Sequence, residues 1–239
     1  MSAMSADGAE RAGGPSDWIA LWYEPWRDMH PAWFDEASPS IRGADAGLAD
    51  TRRWLDRFRS PTPALRPAYR WFCGQFGIDA ETPLPLHRLA ALPMPWPWDP
   101  PALDRAALAL GRVAHVSHCL ADSRRDLAHL FAAGTGDTLP WREALRQAKA
   151  RPLRPDGLGP PTGGGDAELR RWALPLMGRL ADDAWPGAWS RLRLRCDPTL
   201  LRASEPLPPI PDSAAGLRRQ AWRIWRHGVT PPTVASERP

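Results

Sequence analysis

Proline is the residue that most constrains this chain. There are 29 in 239 residues. Each fixes φ and removes a backbone donor, so a helix breaks or kinks where one falls in its interior. Each also pushes the residue before it towards extended backbone. Residues 81–98 hold Pro83, Pro85, Pro93, Pro95 and Pro97, a density that forbids a helix and favours extended or polyproline-like backbone. Residues 203–211 are Pro-rich again. Helices must fit between these interruptions. The fold class expected is mainly α: a single irregular multi-helix domain with Pro-rich loops.

Between the prolines the helical signals are clear. Ser16-Asp17 is an N-cap candidate before Trp18, Ile19, Leu21 and Trp22, and Pro25 stops that run. Tyr23, Pro25, Trp26, His30, Pro31, Trp33 and Phe34 follow as an aromatic-proline knot. Asp50-Thr51 opens a short helix with Trp54, Leu55 and Phe58. The next helix has Pro67 in its first turn, carries Tyr69, Trp71, Phe72, Cys73 and Phe76, and has Gly77 as its C′ residue. The strongest helix runs from Pro100 to about Ala133. Asp99 caps it, and Pro100-Pro101 fill the first turn, where a missing N–H costs least. Leu103, Ala107, Leu110, Ala114, Ser117 and Ala121 make its stripe. The polar stretch Asp122–Asp126 is where it can divide in two. Pro140-Trp141 start a helix to about Lys149. Asp166 caps another, with Leu169, Trp172, Leu176 and Leu180 on one face, Pro175 inside it as an expected kink, and Trp185-Pro186-Gly187 closing it. The last runs from Asp212 to His227, with Gly228 at C′. Leu217, Ala221, Ile224 and Trp225 form its apolar side, and Arg218, Arg219, Arg223 and Arg226 its basic side. Residues 189–196 alternate as Trp189, Arg191, Leu192, Arg193, Leu194, Arg195, the strand period, so a small strand element is allowed there.

These signals divide the chain. Residues 1–15 are small, polar and Gly-rich and read as a disordered tail. Residues 16–228 form the helical domain, with a Pro/Gly loop at 151–165 inside it, and residues 229–239 form a flexible tail. The N-terminus lacks the apolar core of a signal peptide, and no stretch approaches 18 apolar residues. Cys73, Cys119 and Cys196 are odd in number, far apart and without a CxxC, which reads as reduced thiols in a cytoplasm.

The formal net charge is +4, and Lys149 is the only lysine among 31 basic residues. Residues 1–60 are net acidic and residues 61–239 net basic, which suits a bridge with two faces better than a nucleic-acid groove. Chemistry-bearing motifs are few. His115, His118, Cys119 and Asp122 have the only metal-like spacing, and a zinc site would need a further ligand from elsewhere. A metal-dependent enzyme built on His115, His118 and Cys119 is therefore one alternative. A nucleic-acid-binding protein is another, with the arginines of the last helix on phosphates and Trp222 and Trp225 stacking bases. The same basic amphipathic helix equally suits a membrane surface or an acidic protein. No P-loop, dinucleotide fingerprint or GxSxG elbow occurs. The 14 tryptophans belong mostly in the core, with Trp96, Trp98 and Trp185, each next to a proline, the candidates for exposure.

The order of the pieces resembles one family. Trp22-Tyr23-Glu24-Pro25 is followed by Met29-His30-Pro31-Ala32-Trp33. Ala91-Leu92-Pro93 precedes a long helix containing Leu108-Ala109-Leu110-Gly111-Arg112. Trp189-Ser190-Arg191-Leu192-Arg193-Leu194-Arg195 precedes a closing amphipathic helix. Over residues 18–228 this set is similar to the SctK family (YscK, PscK, MxiK, OrgA) of type III secretion accessory proteins. The tail at 1–15 and the insertion 151–165 depart from it. The resemblance implies a mainly helical, non-enzymatic cytoplasmic adaptor with no cofactor and no metal. It would sit in the sorting platform beneath the injectisome, recruited to the cytoplasmic face of the inner membrane. There it would link the cytoplasmic domain of the ring protein SctD to the pod protein SctQ, and through that to the stator SctL and the ATPase. Neither a nucleic acid nor a membrane span is implied. The expected partner-binding residues are Trp22, Tyr23, Pro25, Trp26, His30 and Trp33 in the knot, and Arg218, Arg219, Arg223 and Arg226 in the last helix.

Overall fold

A computed structural model describes residues 15–34, 66–84, 100–122, 139–155, 157–201 and 215–229. The expected tails, the short helix at Asp50–Phe58, the two Pro-rich stretches, Trp96 and Trp98 lie wholly or largely outside these residues. The elements are α1 (Pro15–Tyr23), a 3-10 turn (Pro31–Phe34), α2 (Arg66–Gln75), α3 (Pro100–Ala121) and α4 (Leu139–Ala150). They continue with α5 (Asp166–Ala184), α6 (Ala188–Leu192), a second 3-10 turn (Arg193–Arg195), α7 (Pro198–Leu201) and α8 (Ala215–Val229). The chain is mainly helical, and no strand occurs among the described residues.

The long helix α3 is the centre of the molecule, with α4, α5 and α8 packed around it. Its stripe residues Leu103, Ala107, Leu110 and Ala114 are all in the main core. They meet Leu176, Met177 and Leu180 of α5, Ala144 and Ala148 of α4, and Ala221, Ile224 and Trp225 of α8. α3 ends at Ala121, where the polar stretch starts, so Asp122 lies just beyond it. α5 runs unbroken through Pro175. Close helix approach depends on Gly111: a Cβ there would lie 2.6 Å from the carbonyl oxygen of Leu169.

The loop after α4 is anchored rather than loose at its start. The Ser117 hydroxyl donates to Val113 O at 2.6 Å and accepts from Leu153 N–H at 2.9 Å. Arg154 donates to Ser117 O at 2.9 Å. Leu153 is thereby carried into the core, and Trp172 Nε1 holds the far side of the loop through Gly159 O at 2.6 Å.

A second, smaller core lies beside the bundle. Met29 and Trp33 from the knot, Phe72, Cys73, Phe76 and Ile78 from around α2, and Leu194 form it. α2 ends as expected at Gly77, whose φ is +61°. Ile78 N–H reaches back to Cys73 O at 2.8 Å. This is the Schellman arrangement, and it turns Ile78 into the same apolar cluster as Phe72. No helix among the described residues is long and apolar enough to cross a membrane.

Candidate functional site

The alternating run 189–195 does not form a strand. Residues Ala188–Leu192 are α-helical, and Arg193–Arg195 form a 3-10 turn. The alternation has another cause. This segment is wedged between the two cores, with Leu192 in the main one and Leu194 in the smaller one. Between the leucines, the arginines reach backbone and side-chain acceptors of the N-terminal segments. Period 2 here records two burial targets, not the pleat of a sheet.

Arg191 is 0% exposed. Its Nε donates to Trp22 O at 3.3 Å, and its Nη1 to Gly187 O at 3.0 Å. Its Nη2 donates to Tyr69 Oη at 3.1 Å and to Asp79 O at 3.0 Å. The guanidinium carbon stands 3.8 Å from the Trp22 ring centroid. A buried charge needs such saturation, because desolvation without partners costs several kcal/mol. The Tyr69 hydroxyl donates in turn to Trp22 O at 3.2 Å. Burial pushes its phenol up to about 12, although the Arg191 contact pulls the other way.

The turn after α2 completes the arrangement. Asp79 accepts from Thr82 Oγ1 at 2.5 Å and from Glu81 N–H at 3.0 Å. The Thr82 bond is the chief reason that its carboxyl is held below the ordinary range. Thr82 O in turn accepts from Trp22 Nε1 at 2.9 Å. Further along, Arg193 donates to Phe76 O and Arg195 to Asp28. His30 N–H donates to Leu194 O at 2.8 Å, and Trp33 Nε1 to Cys196 O at 3.0 Å.

These contacts relocate several expected partner-binding residues. Trp22, Pro25 and Trp33 are buried against the chain itself, and Trp26 and His30 are half-buried. Of the six knot residues only Tyr23, at 48%, is exposed. Trp185 is likewise not exposed: it is 2% accessible and stacked on Trp22 with centroids 4.6 Å apart. Pro186 signals a loop position for Trp185, but its ring is drawn into the core.

The basic helix is divided too. Arg219, Arg223 and Arg226 are exposed, whereas Arg218 is half-buried and paired to Asp183 at 2.8 Å. Trp222 and Trp225 are 4% and 1% exposed and stack on each other at 4.8 Å. They are therefore not available to bases.

Elsewhere, His115 Nε2 lies 3.7 Å from Cys119 Sγ inside the bundle, with the His115 ring edge-on to Trp141. His118 lies at i+3 from His115 and is half-buried. Among the described residues no three His, Cys, Asp or Glu side chains are grouped to hold a metal ion. A cavity of about 610 Å³ opens between the start of α3, α5 and the Cys196–Leu200 segment, with His30, Asp104, Arg170, Arg195 and Cys196 on its wall. Arg170 grips Asp104 through two bonds, 2.5 and 2.9 Å long. Burial pushes the Cys196 thiol up to about 12, and burial also raises that of Cys73. Both are therefore thiols at neutral pH, not the thiolates that attack or ligate.

No direct sign in the sequence marks Arg191 for full burial; the one usable signal is that Arg191, Arg193 and Arg195 alternate with Leu192 and Leu194. No protein-family model, curated protein or solved structure matches the chain.

Proposed function

We propose that this protein is a non-enzymatic adaptor of the type III secretion sorting platform. In this role it joins the cytoplasmic domain of the ring protein SctD to the pod protein SctQ, at the cytoplasmic face of the inner membrane. Through SctQ it serves the SctL stator and the ATPase in effector export.

One observation carries the reading. Two of the motifs behind the family resemblance, residues 22–33 and 189–195, far apart in sequence, interlock in space. The carbonyl of Trp22 accepts from Arg191, 169 positions away. His30 N–H binds Leu194 O. Residues that share one interlocked unit are constrained together by the fold, which supports their being a single family signature and not scattered matches.

The test is co-purification of the tagged protein from cytoplasm and membrane fractions, with partners identified by mass spectrometry. Recovery of both SctQ and SctD is expected. Recovery of neither overturns the proposal.

A further inference from the structure

We draw no further inference here: the strongest candidate, the cavity of about 610 Å³ between the start of α3, α5 and the Cys196–Leu200 segment, carries none, because its arginines are already held by carboxylates, Arg170 by Asp104 and Arg195 by Asp28, and nothing in the structure shows what would fill it.

Discussion

The two cores of this protein are assembled by different physics. The bundle around α3 is an apolar contact between helices with legible stripes. Its members are interchangeable in kind, and its stability follows buried area. The unit of the knot and α2 has its own apolar centre, while Leu21 and Trp22 of α1 pack into the main core; the unit is moored to the bundle by hydrogen bonds from Arg191, Arg193 and Arg195 and by the His30 and Trp33 donors. Such mooring is directional. It tolerates little change of residue type, and it fails by leaving acceptors buried and unpaired. One region is specified by hydrophobic pattern, the other by a few donors.

The sharpest way to break that contrast is to remove its central donor. Arg191→Met keeps volume near the Trp22 ring but takes one donor from each of three carbonyls and from the Tyr69 hydroxyl, leaving Tyr69 on Trp22 O and Ser190 on Gly187 O. The expected loss is about 3–5 kcal/mol, measured by urea unfolding. Hydrogen exchange is expected to show α1 and α2 deprotected ahead of α3. If α3 opens first, the mooring is not what separates the regions. In the bundle, Leu110→Ala is expected to cost about 3 kcal/mol through transfer and cavity terms, with α3, α5 and α8 losing protection together. Between these extremes lies Ser117→Ala, a polar link inside the apolar region. It orphans the Leu153 N–H and is expected to cost about 1–2 kcal/mol and to expose the loop after α4 to proteases.

Alkali distinguishes the regions by charge. Tyr69 and Cys196 both have proton affinities raised on folding, from ordinary values of 10.0 and 9.0 to about 12. A raised value means that the folded state holds its proton more tightly than the unfolded chain does. The stabilising effect is complete below about pH 9, and is lost as pH climbs from there through 12. Tyr69→Phe is expected to reduce that slope between pH 10 and 12, followed by circular dichroism. An unchanged slope would remove Tyr69 from the account. The smallest effect is expected for Arg223→Gln, within about 0.5 kcal/mol by thermal unfolding, because an exposed side chain away from packing contributes little.

The sequence made the bundle largely readable because helical periodicity reports one buried face. The spacing from Leu103 to Ala114, the Pro100-Pro101 start and the Gly77 stop all translate directly into structure. The moorings were not readable in the same way. Arg191 and Arg223 are the same residue type on amphipathic stretches. Only the three-dimensional position of the Trp22, Gly187 and Asp79 carbonyls makes one of them an interior group and the other a surface group. The small strand element allowed at 189–196 does not form, for the same reason: alternation indicates burial on two sides without saying what lies there. Trp185, beside Pro186, misled in a related way. A loop position does not keep a ring in solvent when a second ring, Trp22 on Trp185, offers a stacked partner.

Which part of the molecule can be finished first during synthesis follows from the Arg191–Trp22 bond. Its partners are 169 residues apart. At ~5–20 residues per second, a nascent chain displays its aromatic N-terminal segment for roughly 10–30 s before the arginines that anchor it exist. Closing so distant a contact is intrinsically slow. The aromatic knot is thus made well before the arginines that bind it, and its rings stay uncovered over that interval.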